Sequence, residues 1–301
     1  MFGLILAKIF AQIYWSYKKI TKRNLPGLGK ALDLVKREHV LKVKGKKVFF
    51  DPRIARAYGL MIIGQWNEPE THAFLGKLLD KIDTRVNFVD VGASIGEFVV
   101  DLASHDKIAK LIGFEPQVVA AEAIRKSCKL NGFDKVSIES KMITSNGNVG
   151  FFFKNERSPT ASHGIHPVDA NLNEFVKQGI RKISATTLDH ELIGLDGRTI
   201  VLLDIEGGEY SAMKGGLNFI RKYKPLLIFE YHSVTRKSFS LKMVEELLGT
   251  DYMIYRLRSD GSVDSDLSKT WNLVAVHRAT GFFGIVSSFQ HKNDSRLFCD
   301  F

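Results

Sequence analysis

Seven short apolar runs, most of them followed by a stretch with helical periodicity, constrain this chain more than any other feature. They are VNFVDV (86–91), AKLIGFE (109–115), KVSIES (135–140), RTIVLLD (198–204), KPLLIFEYH (224–232), YMIYRL (252–257) and WNLVAVH (271–277). Helical segments fit between most of them, at 95–104, 117–131, 209–222 and 239–249. Strands buried on both faces read as continuous apolar runs, so the rhythm predicts an α/β fold: a mostly parallel seven-stranded sheet with helices on both faces. The last two runs are joined by RSDGSVDSDLSKT, which holds no obvious helix, and are expected to pair antiparallel.

Three regions follow from this pattern. Residues 1–30 read as a basic amphipathic helix and a linker, closed by the breaker cluster LPGLGK. Residues 31–83 read as an extension, with a hairpin at 39–51 around Gly45 and a helix within 64–82 that starts after Glu-Pro-Glu-Thr. Residues 84–301 form the main domain. Within it ITSNGNVGFFF (143–153) predicts a hairpin at Asn146-Gly147. A polar loop at 155–172, carrying His163 and His166, is expected to shape a substrate pocket.

Charge is concentrated at one end. Residues 1–50 hold 12 of the 43 Lys and Arg but only Asp33 and Glu38 among acids, so the net charge of +10 belongs to the arm and the body is neutral. A neutral body argues against a nucleic-acid enzyme, and no nucleic-acid partner is expected. The apolar part of the arm is shorter than the roughly 20 residues a membrane-spanning helix needs. Tyr14, Trp15 and Tyr17, followed by Lys18, Lys19, Lys22 and Arg23, suit either an anionic membrane surface or a docked helix. Two distant cysteines, Cys128 and Cys299, point to free thiols. A cytoplasmic location, with the arm on the cytoplasmic face of a membrane as a companion expectation, fits both observations.

The chemistry begins at FVDVGASIGEF, residues 88–98. Ligands of open α/β sheets sit beyond the carboxyl ends of the strands. A dinucleotide site has G-x-G-x-x-G, whereas here Gly92 and Gly96 stand four apart with Asp90 two residues ahead. A carboxylate there repels a phosphate by on the order of 1 to 4 kcal/mol at contact range and attracts an ammonium. Glu115 ends the next strand, 19 residues after Gly96, where an acid accepts hydrogen bonds from both hydroxyls of a ribose. Ammonium, close backbone approach and ribose together describe S-adenosylmethionine. A second acidic group, LLDIEGGEY (202–210), places Asp204 and Glu206 at the same edge, and Glu209 is explained by the helix dipole. The next strand adds Glu230 and His232. His232 is a candidate general base, Asp204 and Glu206 are alternatives, and Asp204 with Glu230 has the oxygen ligands of a divalent cation, although nothing requires one.

In order and at compatible spacing, N-E-P-E-T, V-D-V-G-A-S-I-G-E-F, F-E-P, T-L-D, L-D-I-E-G-G-E and K-P-L-L-I-F-E resemble the FkbM-type family of S-adenosylmethionine-dependent methyltransferases. The resemblance covers roughly residues 64–232. It implies a class I methyltransferase (Rossmann-like) fold and O-methylation of a sugar, glycolipid or other small metabolite. It places Asp90, Gly92, Ala93, Ser94 and Gly96 at the methionine end of the cofactor, Glu115 at the ribose, and Asp204 and Glu206 near the transferred methyl. The chain departs from the family pattern at Ser94, usually Asn, and at Leu202, usually Lys. The second departure keeps a non-catalytic cofactor-binding protein as the alternative reading.

Overall fold

The computed structural model describes residues 37–147, 151–153, 166–167, 181–268 and 271–290, with positions 9, 13, 16, 17, 20 and 21. The linker, His163, Cys299 and most of the arm and of the 155–172 loop lie outside the described residues.

The first strands among the described residues form an antiparallel hairpin, β1 (His39–Val43) and β2 (Lys46–Phe50), turning at Lys44-Gly45. Two helices follow, α1 (Ala55–Ile63) and α2 (Pro69–Lys81). The first of them has no counterpart in the sequence reading. Pro69 in the first turn, Glu70 beside it and Lys81 at the far end suit the orphan amides and the dipole of α2. The inward face of α2 buries Phe74, Leu75, Leu78 and Leu79 completely or nearly so, at roughly 1.5 to 3 kcal/mol each.

The main domain runs β3 (Val86–Val91), α3 (Glu97–Leu102), β4 (Ile108–Phe114), α4 (Val118–Asn131), β5 (Val136–Glu139), β6 (Met142–Ile143), β7 (Phe151–Phe153), β8 (His166–Pro167), β9 (Arg181–Ile183), β10 (Ala185–Thr186) and α5 (Leu188–Glu191). It continues with β11 (Thr199–Leu203), α6 (Glu209–Gly215), α7 (Leu217–Tyr223), β12 (Leu226–Glu230), α8 (Leu241–Leu248), β13 (Tyr252–Leu257), β14 (Val263–Asp264), β15 (Asn272–His277) and α9 (Gly281–Ser287). The central sheet has the order β14-β13-β15-β12-β11-β3-β4-β5. Its five consecutive strands from β12 to β5 are parallel, and β15 is antiparallel to both β12 and β13. All seven expected strands are present. The eighth, β14, is a two-residue addition from the polar loop, tied by the Arg256 to Asp264 ion pair.

Two further expectations are corrected. Met142 and Ile143 pair in parallel with Ala185 and Thr186, and Phe151–Phe153 pairs with Arg181–Ile183, so the Asn146-Gly147 turn does not join two paired strands. The helix expected over 209–222 is broken at Gly216. Two consecutive glycines, poor helix formers, stand at the break, and at Gly215 a methyl group would collide with the carbonyl oxygen of Thr144.

Each face of the sheet has its own core. Phe88, Leu202 and Ile228 lie on the face covered by α2, α3, α4 and α9, and Val89, Leu203 and Phe229 on the face covered by α6, α7 and α8. A third core lies between the extension and the main domain. Leu41, Val43, Val48 and Phe50 of the hairpin, with Leu60 and Met61 of α1, pack over Val100 of α3 and Ala120 and Ala123 of α4. Residues 39–66 are thereby held against the helices that flank the glycine turn.

Candidate active site

The carboxyl ends of β3, β4, β11 and β12 meet at one edge of the sheet. Asp90 is the penultimate residue of β3 and is almost wholly buried. The turn after it needs left-handed backbone at Gly92, Ser94 and Gly96. At Gly92 the requirement is doubled, because a side chain would run into the carbonyl oxygen of Asp204. The two halves expected from the sequence are therefore in backbone contact and form one cleft.

Glu115 is fixed on both oxygens: the Ser94 N–H donates to Oε2 and the Gln117 N–H to Oε1, each at 2.8 Å. Burial outweighs these bonds and pushes its carboxyl up to about 7. Asp90 Oδ2, by contrast, has no hydrogen-bond partner, and burial followed by the charge of Asp204 holds this carboxyl well above its usual range. Leu202 stands directly beside Asp90 in the β3–β11 register. The position where the family pattern has Lys is thus the one adjoining this orphaned carboxylate.

Across the edge, Glu209 does more than favour a dipole. Its carboxylate accepts from the N–H groups of Ile205 (3.0 Å) and Gly207 (3.0 Å) and so fixes the turn that presents Asp204 and Glu206. Glu206 is exposed and adopts φ 54°, whereas the Asp204 side chain is mostly buried. His232 and Glu230 are joined by a 2.9 Å contact from Nε2 to Oε1. The other ring nitrogen, Nδ1, accepts the Val234 N–H at 3.0 Å, which places the proton of the neutral ring on Nε2. Neither nitrogen of the neutral ring then has a free lone pair, and a general-base role for His232 would need one of these two contacts to open. The same argument bears on metal binding. Glu206, Glu230 and His232 offer ligand atoms within 4.8 Å of one another, but a metal-bound His donates its second N–H outward, and here that nitrogen is an acceptor. Glu230 Oε2 remains buried without a partner, and burial and Asp204 push the carboxyl up to about 8.

The extension contributes residues that sequence reasoning did not place. Arg56 of α1 reaches Asp204 Oδ2 at 3.7 Å, and nothing in its sequence context marks it. Glu68, read as part of a helix start and of the N-E-P-E-T motif but given no role there, accepts from Asn272 Nδ2 at 2.9 Å. Below them, Asn67 donates to Glu97 (2.9 Å), and His72 bridges toward Glu97 and Asp101 (2.7 Å) while stacking on Phe98. This network ties the Trp66–His72 stretch to α3.

Two cavities are lined by residues of these elements. One of about 370 Å³ is lined by Gly92, Phe114, Pro116, Ile143, Thr144 and Gly207 among others. The second, about 410 Å³, is lined by Arg56, Asn67, Glu68, Glu230 and the half-exposed Trp271, with Gly59, Pro69 and Glu70 at its margin.

A parallel sheet with one antiparallel strand inserted next to its last member, and a glycine turn facing two acids across the strand ends, defines the class I methyltransferase fold. The family model "Methyltransferase FkbM domain" matches residues 90–257, more than half of the chain, and the protein belongs to that family. No curated protein matches the chain by sequence. Among solved structures it is similar to the methyltransferase FkbM from Methylobacillus flagellatus KT, with 17% identity, 73% of this chain and 53% of that one covered, and a TM-score of 0.42. It is also similar to an rRNA methylase from Streptococcus thermophilus (13% identity, 70% and 98% covered, TM-score 0.40) and to M. jannaschii TYW2 in complex with AdoMet (14%, 80% and 84%, 0.39). The chain spans about half the length of the Methylobacillus protein. At these identities and TM-scores the likeness carries nothing about substrate.

Proposed function

We propose that this protein binds S-adenosylmethionine and methylates a hydroxyl of a small acceptor, a sugar, a glycolipid or a related metabolite. The observation that carries the reading is the contact between the Gly92 turn and Asp204, which makes the two acid-bearing edges walls of one cleft. The residues present fit the cofactor. Glu115 is held for a ribose with lone pairs to spare. Asp90, an orphaned buried carboxylate, suits an ammonium from beneath the turn at the methionine end. Gly92, Ala93, Ser94 and Gly96 permit close approach, and the cavity beside Phe114, Pro116 and Ile143 would take the adenosine.

When bound, S-adenosylmethionine supplies an already activated methyl group. The protein's task is then alignment, exclusion of water and acceptance of one proton. The acceptor would occupy the second cavity, where Trp271 offers a flat apolar face and Glu68 and Glu230 offer hydroxyl partners. Arg56, which lines this cavity, pairs with Asp204, and His232 orients Glu230. A non-catalytic cofactor-binding protein is the second reading, favoured by Leu202 beside Asp90.

Incubation with methyl-labelled S-adenosylmethionine and separate pools of sugars, lipids, small metabolites and RNA tests both. Label entering one small hydroxylated product supports transfer. Cofactor binding without any labelled product supports the second reading, and label entering RNA alone refutes the small-acceptor assignment.

A further inference from the structure

Among the described residues, the cavity beside Trp271 shares no lining residue with the one beside Gly92 and Phe114. Its chemistry is therefore separate from that of the cofactor. The carboxyl groups of Glu68, Glu70 and Glu230 line it, and Arg56, the one cation among the described lining residues, stands 3.7 Å from Asp204 Oδ2. Three of these residues belong to one connected wall. Glu230 ends β12 and pairs with Asn272 in the antiparallel register with β15, and the carbonyl of Trp271 accepts the Tyr231 N–H at 2.7 Å. The ring of His232 lies 4.6 Å from that of Trp271, centroid to centroid, and its Nε2 lies 2.9 Å from Glu230 Oε1. Glu68 is aimed by buried neutral donors, Asn272 Nδ2 at 2.9 Å and Thr71 Oγ1 at 3.4 Å, both to Oε2.

Glu230 points to what the cavity takes. It is nine-tenths buried, it lines the cavity, and its Oε2 has no hydrogen-bond partner. A buried acceptor left bare costs free energy that an incoming donor returns. A hydroxyl would satisfy the lone pair and leave the charge uncompensated. An ammonium offers three donors and a positive charge, which suits several carboxylates, and an indole is the ring that attracts a cation best. An acceptor bearing phosphate or carboxylate would meet like charge on the same wall. We propose that the acceptor is a hydroxylated amine, an amino sugar or another amino alcohol, whose ammonium is held by Glu230 together with Glu68 and Glu70, with Trp271 as the aromatic face of the same site.

The inference rests on the methyl-transfer reading and narrows its acceptor to one chemical class. Transfer is still to oxygen: the carbon–sulfur bond breaks with its electron pair left on sulfur, a carbon–oxygen bond forms, and the hydroxyl proton passes to a carboxylate of the cleft. The ammonium keeps its three protons, so its nitrogen has no lone pair with which to compete for the methyl. The electrostatics agree. Burial and then the charge of Asp204 push the Glu230 carboxyl up to about 8, and burial followed by Asp204 and Glu97 pushes that of Glu68 up to about 9. These acids are crowded with too little positive charge, and a cationic ligand supplies it.

The test incubates the protein with methyl-labelled S-adenosylmethionine and a low-molecular-mass cell extract sorted by ion exchange into cationic, neutral and anionic fractions. Label should enter the cationic fraction at a level at least about tenfold above the other two, and acetylating the amines of that fraction beforehand should remove the effect. The labelled product should carry its new methyl on oxygen. Label confined to the neutral or anionic fraction, undiminished label after acetylation, or a methyl on nitrogen would overturn the inference and leave methyl transfer standing. Label in no fraction would instead remove the methyl-transfer reading itself. Labelling that is lost with a chelator and restored by a divalent metal would give the bare Glu230 oxygen to a metal and also overturn the proposal. With the purified acceptor, Glu230→Gln should raise KM at least about tenfold while S-adenosylmethionine affinity stays within about threefold of wild type, which reports an intact fold. Trp271→Ala, at a half-exposed position, should raise the same KM by about threefold or more. An unchanged KM in both variants would end the assignment.

Discussion

The main-chain N–H of Ser94 donates to Oε2 of Glu115 over 2.8 Å, joining the glycine turn after β3 to the residue that follows β4. Ser94 holds this position with φ 52°. One acid therefore fixes the shape of the turn and faces the ligand side of the sheet, and its replacement acts on both.

Glu115→Gln offers an amide N–H2 where one backbone donor now points, leaving a buried N–H without an acceptor at a cost of about 1 to 3 kcal/mol. S-adenosylmethionine affinity should fall by tenfold or more in calorimetry, about 1.4 kcal/mol or beyond. Unchanged affinity would remove Glu115 from the site.

Gly92→Ala is expected to be severe. The residue has φ 97°, and its new methyl would meet the Asp204 carbonyl. A loss of about 2 kcal/mol or more in urea unfolding is expected, together with loss of cofactor binding as Asp204 is displaced. A variant with wild-type stability would show that β3 and β11 are not in contact there.

Leu202→Lys tests the orphaned carboxylate. The ammonium would be placed beside Asp90, so the variant should tolerate a buried charge that the same substitution in an Asp90→Asn background does not. Breaking a buried pair costs about 3 to 5 kcal/mol, and the L202K/D90N protein should be less stable than L202K by about that amount. Equal stabilities would mean that position 202 does not sense Asp90.

Stability should fall as pH rises from 5 to 9. Burial pushes Glu115 and Glu209 up to about 7, Glu230 to about 8 and Glu68 to about 9, against an ordinary value of 4.5. The folded chain binds more protons than the unfolded chain across that window, so the unfolding free energy declines with pH. Asp264, held down to about 2 by the Asp266 N–H and then Arg256, acts only at lower pH. Thermal melts should show Tm dropping across the window, with a smaller drop when cationic S-adenosylmethionine is bound; a rising Tm would contradict the burial of these acids.

Deleting residues 1–23 should abolish binding to anionic liposomes in flotation and leave S-adenosylmethionine affinity intact. Equal flotation with and without the segment would end the membrane assignment. No helix among the described residues is long and apolar enough to cross a membrane.

Much of this was legible in the residues. Short, largely apolar runs such as VNFVDV and TIVLL, bounded by turn residues, read as strands buried on both faces, and every residue of β3 and β11 is buried. The glycine turn, Glu115 and Asp204 could be placed because strand ends in a parallel sheet share one edge. Other features could not be read from sequence. His232 looked like a base because the residue type titrates near neutrality, but the N–H of Val234 and the carboxylate of Glu230 occupy both its nitrogens. Asn146-Gly147 carried a hairpin signal, but β6 and β7 found partners more than thirty residues away or nearly so, in β10 and β9.

By itself the sequence determined the layered sheet, the turn that requires Gly92 and the acids at the strand ends, because each depends on periodicity, local backbone freedom or a position along one strand. Only the tertiary structure decided which acid meets which. Arg56 reaches Asp204 from a distant part of the chain because the extension packs its own apolar core on α3 and α4. Such a contact follows from packing between elements, and no local pattern in the chain encodes it.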